Sequence, residues 1–142
     1  MNTTTQGIIE TGLQHYKDTM NTLNHNIEKD IIQYRKEINK VWKMCEEDYD
    51  EDIFDAFIKY CFKYDYIPDI TIQLFNEAFV GEFKSIENFI DDYLDQECIE
   101  LHPMLILDYN SMWKDKFSHD FHFEDGFIFR HSGLYFKIKN LI

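Results

Sequence analysis

The sequence predicts an α+β chain, predominantly helical, with a long N-terminal helix or helical hairpin, acidic central helices and a small C-terminal three-stranded antiparallel β-meander. Three observations predict it. Apolar side chains recur in steps of three and four over residues 8–43. Two prolines and five glycines in 142 residues leave few turn signals for a many-stranded fold. Near the C-terminus the period changes from helical to alternating, in HDFHFEDGFIFRHSGLYFKIKN. Apolar residues make up 44% of the chain and aromatics 17%, enough to bury a core and to exclude disorder throughout.

The first element follows from Ile9, Leu13, Tyr16, Met20, Leu23, Ile27, Ile31, Tyr34, Ile38 and Val41, nearly a heptad seam with one stutter around Ile27. It is one long helix, or two helices broken near Asn21–Asn26, where three asparagines weaken propensity. A narrow apolar stripe must be buried, either within an internal hairpin or in a coiled-coil contact between two copies. Residues 1–44 are thus an N-terminal helical segment, a candidate for oligomerisation, and residues 45–142 an acidic α+β region.

In CEEDYDEDIFDAFIKYCFKYDY, an acid run opens a helix whose inner face uses Ile53, Phe57, Cys61 and Tyr64. Carboxylates at a helix N-terminus are favoured by the dipole, which accounts for part of the run. Pro68 ends this region. Thr71 caps a short helix through Phe79, with Ile72, Phe75 and Phe79 inward, and Gly81 supplies a turn. Ser85 caps a further helix to about Glu97, with Ile86, Phe89, Ile90, Tyr93 and Leu94 inward. Pro103 then begins a helix over 104–116 on Leu105, Leu107, Tyr109, Met112 and Trp113. The strands Phe121–Phe123, Phe127–Phe129 and Leu134–Ile138 follow, turning at Glu124-Asp125-Gly126 and His131-Ser132-Gly133.

Charge is distributed unevenly. The chain carries 27 acidic and 14 basic residues, a net −13. Residues 1–44 are near balance, whereas 45–125 hold 22 acidic side chains against five basic ones. That segment repels phosphate and anionic lipid, so direct contact with nucleic acid or a membrane surface is not expected of it. It attracts a basic protein or a divalent cation. Three cysteines without close pairing fit reduced thiols in a cytoplasmic protein. The N-terminal MNTTTQGIIETG has neither the basic start nor the apolar run of a secretion signal.

The outer face of the 86–97 helix is the sharpest feature. Glu87, Asp91 and Asp95 recur every fourth residue, with Asp92 beside them and Glu97 beyond. No lysine or arginine occurs from Ser85 through Trp113. Like charges one turn apart cost roughly 0.2–0.5 kcal/mol per pair. Acids in a last turn oppose the dipole by about 0.3–1 kcal/mol each. A face serving solubility alone would mix in lysines.

Catalytic readings fare poorly. Asp69 with Glu82-Phe83-Lys84 matches the acid and E-x-K of metal-dependent nucleases, but helical spacing before Gly81 and the lack of cationic surface for a substrate tell against it. His119 and His122 form an H-x-x-H whose members point to opposite faces of a strand. Cys61 lies on an apolar face and reads as core. The acid run at 46–55 lacks the glycine and twelfth-position glutamate of an EF-hand. The sequence therefore predicts no enzyme, no metal and no cofactor.

The stretch Ala78, Phe79, Gly81, Glu82, Phe83, Ser85, Glu87, Asn88, Phe89 resembles the ArdA antirestriction proteins. Their pattern runs A-[YF]-x-G-E-[YF]-x-S-x-E-[DN]-F. Leu107-Asp108-Tyr109 with Met112 and Asp115, and the strands around Glu124-Asp125-Gly126, resemble a second part of that family. The likeness spans roughly residues 46–131. The family's N-terminal α/β domain has no counterpart. The resemblance implies a non-enzymatic homodimer, acting in a bacterial cytoplasm, that imitates duplex DNA and fills the DNA-binding groove of a type I restriction–modification enzyme. The carboxylates expected to meet that groove are Glu82, Glu87, Asp91, Asp92, Asp95, Glu97 and Asp108. Glu46, Glu47, Asp48, Asp50, Glu51, Asp52 and Asp55 form a second patch. A CRISPR nuclease or another nucleic-acid-binding defence protein is the alternative target. An acidic interaction module dimerising through residues 8–43 is the alternative of another class.

Overall fold

A computed structural model describes residues 1–20 and 26–131. The chain divides into two compact units, Met1–Glu77 and Ala78–Ile142. The first extends well past the division expected at residue 44, because later helices supply the surface that buries the N-terminal seam.

In the first unit, α1 (Thr3–Met20) and α2 (Ile27–Cys45) form the expected hairpin. The two run antiparallel, as their side-chain pairs show. The Arg35 guanidinium donates to both Glu10 carboxylate oxygens at 2.7 and 2.9 Å, and Lys17 pairs with Glu28. Tyr16 and Tyr34 meet edge to face at 5.6 Å. Ile9, Leu13, Ile27, Ile31, Ile38 and Val41 are buried, so the seam is consumed inside the unit. Leu23 lies outside the described residues.

The third helix, α3 (Glu51–Lys63), departs from the single stripe expected of it. Phe54, Ala56, Phe57, Ile58, Tyr60 and Cys61 are all buried, an arc of about 200° at 100° per residue, whereas Ile53 and Tyr64 are only half-buried. A buried arc this much wider than the usual ~100° stripe packs against more than one neighbour, and the contacts bear this out. Trp42 of α2 packs on Phe54 at 5.2 Å, and Phe75 of α4 (Ile72–Ala78) packs edge to face on Phe57 at 5.1 Å. Thr71 caps α4 as expected, its hydroxyl accepting the Leu74 N–H at 3.1 Å.

Helix α1 approaches α3 closely at one glycine. A methyl group on Gly12 would overlap the Phe62 ring, whereas at Gly7 it would meet nothing within 4 Å. Both glycines sit in helix interior, where glycine costs about 0.8–1.0 kcal/mol relative to alanine. Gly7→Ala is therefore expected to raise stability by roughly that amount. Gly12→Ala is expected to lose that gain by displacing Phe62, and paired denaturant titrations check the contrast.

The second unit is a three-stranded antiparallel sheet with two helices packed on it. Its strand order is β1 (Phe79–Glu82), β3 (Phe127–Arg130), β2 (Phe121–Glu124). The β2–β3 hairpin is as expected. It turns on Asp125 and Gly126, both at positive φ (53° and 92°), the backbone that a two-residue Asp-Gly turn requires. The strand expected at Leu134–Ile138 lies outside the described residues; among those described, the sheet's third member is β1.

This corrects two expectations. The helix after Thr71 ends at Ala78, and Gly81 lies within a strand, next to an irregularity between Phe79 and Gly81. Phe79, Gly81 and Glu82 pair with Phe129, Ile128 and Phe127.

Helix α5 (Ile86–Gln96) starts where expected, with the Ser85 hydroxyl accepting the Asn88 N–H at 3.1 Å and Glu97 as its C-cap. Its inner face supplies Phe89 and Ile90 to a core with Phe117, Phe121 and Ile128. Phe89 is the hub. Its ring lies 4.9 Å from Phe121, 5.1 Å from Phe83, 6.0 Å from Phe117 and 6.3 Å from Trp113. The next helix, α6 (Tyr109–Asp115), begins five residues later than Pro103 suggests, because Asp108 is the N-cap. Leu105, expected on the inner face, is consequently exposed, as are its neighbours Met104 and Ile106.

Candidate interaction surface

The carboxylates singled out from sequence fall into two groups, one in each unit. In the second unit, α5 presents Asp91, Asp92 and Asp95 to solvent, with Glu87 half-buried and Glu97 exposed at the C-cap. The face is ordered by local geometry. The Tyr109 hydroxyl of α6 donates to Asp91 Oδ1 at 2.6 Å, and Gln96 Nε2 donates to Asp92 Oδ2 at 2.9 Å. The Asp91 contact raises the Tyr109 pKa, since a phenolate there would face the carboxylate. Inward aromatics fix the helix on the sheet, so its outer side chains project from a rigid platform.

Glu82 ends β1 and is exposed. It sits on a strand rather than in a turn, which removes one argument against the metal-dependent nuclease core. The strand beside it is β3, however, whose Phe127–Arg130 segment offers no acid to share a metal. Asp69, the other proposed acid, lies in a 3-10 turn, Ile67–Asp69. Among the described residues no group of three or more His, Cys, Asp or Glu side chains is placed to hold a metal ion. His122 is buried on β2 with Nε2 3.1 Å from Glu124 Oε1, and His119 is exposed in a 3-10 turn.

Asp108 is a structural cap. Its carboxylate accepts from the Ser111 N–H at 3.1 Å and the Ser111 hydroxyl at 2.9 Å, and these bonds, the backbone one first, lower its pKa. It remains exposed, but its orientation is set by the helix it starts.

In the first unit, Glu46, Glu47, Asp48, Asp50 and Asp52 are exposed along the α2–α3 connection and the first turn of α3. Glu51 and Asp55 are engaged within the unit. Glu51 accepts the Asn2 N–H at 3.0 and 3.2 Å and lies 3.6 Å from the Met1 amine. Buried Thr5 places its hydroxyl 2.7 Å from Glu51 Oε2 and 2.6 Å from Asp55 Oδ1, with Asn2 Oδ1 at 2.8 Å. One hydroxyl hydrogen serves only one of three acceptors. The arrangement fastens the start of α1 to the start of α3. Sequence alone gave no sign of it, because the partners lie 46–50 positions apart.

Burial, followed by the nearby Glu51 charge, raises the Asp55 pKa, while the Asn2 backbone bond lowers that of Glu51. The two act oppositely on stability. A carboxyl whose folded pKa is raised binds protons more readily in the native state, so its contribution is lost as pH rises through the folded value. A carboxyl with a lowered pKa contributes above its unfolded value and loses that contribution as pH falls. Asp55→Asn is therefore expected to remove the loss of stability on the alkaline side of the carboxylate range. It leaves the acid-side loss attributable to Glu51. Thermal melts from pH 3 to 8 check both limbs.

Two of the three cysteines, Cys45 and Cys61, are buried, and Cys98 is exposed. Cys61 is fully buried and burial pushes its thiol well above the ordinary value, and burial likewise pushes Cys45 up to about 11. No helix among the described residues is long and apolar enough to cross a membrane. Comparison of the chain with family models, with curated proteins and with solved structures finds no match.

Proposed function

We propose that this protein is a DNA-mimic inhibitor, which fills the DNA-binding groove of a host defence enzyme with a row of carboxylates. By the ArdA-like pattern around Gly81-Glu82, that enzyme is a type I restriction–modification complex. The observation that carries the reading is the outer face of α5, where Asp91, Asp92 and Asp95 stand exposed and no cation occurs from Ser85 through Trp113.

Charge density supports the reading. Glu87, Asp91, Asp92, Asp95 and Glu97 put five carboxylates on eleven residues. At a rise of 1.5 Å per residue, that is about one charge per 3 Å of axis. One strand of duplex DNA carries a phosphate about every 3.4 Å. A groove built of lysine and arginine meets a comparable line of negative charge, and the counterions released resemble those released by DNA. The exposed acids of residues 46–52 add a second patch on the other unit.

The rival reading, dimerisation through residues 8–43, finds less support, since Ile9, Leu13, Ile27, Ile31, Ile38 and Val41 of the seam are buried within the single chain. Type I restriction assays test the proposal. Purified protein is expected to block cleavage competitively, with duplex DNA restoring it in proportion to concentration. Inhibition that excess duplex leaves unchanged contradicts it. Inhibition of a CRISPR nuclease instead keeps the mimicry and changes the target.

A further inference from the structure

Among the described residues, five of the nine exposed large apolar side chains fall within eight consecutive positions: Ile99, Leu101, Met104, Leu105 and Ile106. Met104 is 81% and Ile106 93% exposed. Exposed apolar residues scattered singly are ordinary, whereas a group this dense marks an interaction site.

The five side chains sit on a loop rooted at both ends in the acidic face of α5. At its start, Cys98 takes a positive φ of 54°. The Cys98 N–H donates to the Asp95 carbonyl at 3.1 Å and the Ile99 N–H to the Leu94 carbonyl at 3.0 Å. These two bonds close the helix with a left-handed cap, which turns the chain at the end of the carboxylate row. Within the loop, the Leu105 N–H donates to the His102 carbonyl at 2.9 Å and the Met104 N–H to His102 Nδ1 at 3.1 Å. At its end, Asp108 caps α6, and the next residue, Tyr109, donates its hydroxyl to Asp91 Oδ1 at 2.6 Å. The loop leaves from the end of the carboxylate row and returns to Asp91 within it.

We infer that the 99–106 loop is an apolar anchor for the protein whose cationic groove takes the α5 carboxylates, seated in an apolar socket at the border of that groove. The inference rests on the decoy reading and specifies the partner's surface. Charge selects this occupant. No lysine or arginine occurs from Ser85 through Trp113, and Glu97 and Glu100 are exposed at the start of the loop. Those carboxylates repel nucleic acid and anionic lipid. A basic protein surface answers both features, with lysine and arginine for the row and apolar side chains for the loop. The anchor also gives a decoy its advantage. The carboxylates offer the groove what DNA offers it, and a packed apolar contact that duplex DNA does not make adds affinity beyond DNA. Burial of apolar surface releases no counterions, so this contact raises affinity without changing its salt dependence.

Binding to a type I restriction–modification complex at several salt concentrations, with duplex DNA as competitor, tests it. Met104→Ser with Ile106→Ser is expected to weaken binding roughly a hundredfold at every salt concentration, about tenfold for each side chain. The slope of log affinity against log salt is expected to stay that of the wild type, since no charge is removed. Met104→Leu with Ile106→Leu, which keeps the apolar volume, is expected to bind nearly as the wild type does. Both positions are exposed, so each variant is expected to keep the wild-type circular dichroism and melting temperature. If the wild type binds and duplex displaces it, but the serine variant binds equally well, the inference is overturned and the decoy reading stands. Equal binding together with serine-sensitive adsorption to phosphatidylcholine vesicles assigns the loop to a membrane, and equal binding with a serine-sensitive dimer assigns it to a second copy. Both overturn it. A loss of binding with a flattened salt slope overturns it too, because the substitution then acts through the carboxylates. If the wild type does not bind, or duplex fails to displace it, the decoy reading falls and the inference with it.

Discussion

Phe89→Ala is expected to cost the second unit about 3–5 kcal/mol, the usual range for deleting a fully packed phenylalanine. A domain's whole stability is of order 5–15 kcal/mol. The reason for so large an effect is geometric. Phe89 is 3% exposed, and its ring touches those of Phe83, Phe117, Phe121 and Trp113 at once. Its loss leaves a cavity between α5 and the sheet rather than a dent at an edge. The chain's two tryptophans, Trp42 and Trp113, lie in different units. In a Trp42→Phe background, fluorescence in a urea titration therefore reports the second unit alone. A loss under about 1 kcal/mol would show that this aromatic cluster is not the unit's core. With α5 loosened, the carboxylate face loses its platform, so partner binding falls even though no charge has been removed.

The second large effect separates function from stability. Asp92→Lys with Asp95→Lys is expected to lower affinity for the target groove by at least a hundredfold, because two attractive contacts become repulsive in a cationic channel. The same pair is expected to leave the fold as stable or more so. Asp95 repels Asp91 one turn away, and both substituted positions lie toward the α5 C-terminus, where the helix dipole favours cations by about 0.3–1 kcal/mol each. Calorimetry and a binding titration on one preparation read both outcomes. A variant that binds normally would mean that these carboxylates serve only as a solvated coat.

Much of this architecture was legible because it is local. Ser85 three residues before Asn88 marks a cap, Asp125-Gly126 marks a hairpin turn, and the inner face of α5 follows from helical spacing. Non-local pairing was not legible. Phe79–Glu82 continues the apolar spacing of α4 and carries a glycine. Only the β3 partner, nearly fifty residues later, shows that it is a strand. The start of α6 was misread for a different reason. Pro103 is a good first helical residue, but Asp108 and Ser111 supply the bonds that start the helix, leaving 104–106 outside it. The width of the α3 core depends on how many neighbours the helix has, which one helix's periodicity does not encode.

The site divides along the same line. The acidic stripe of α5 is a matter of spacing and could be read directly. That Glu51 and Asp55 are engaged by Thr5 depends on where a segment 46–50 positions away comes to rest, whereas the Asp108–Ser111 cap is local. Charge counting treats all fourteen candidates alike. The structure sets Glu51 and Asp55, engaged within the first unit, apart from the carboxylates left exposed, among which Asp91 still accepts from Tyr109.

The most direct test of the decoy claim is the salt dependence of binding to a restriction–modification complex, measured from 50 to 200 mM with duplex DNA run in parallel. The account predicts a fall in affinity on the order of a hundredfold, parallel to that of the duplex and flattened in the Asp92→Lys, Asp95→Lys variant. Affinity that stays level across that range, in protein that still binds, would contradict it.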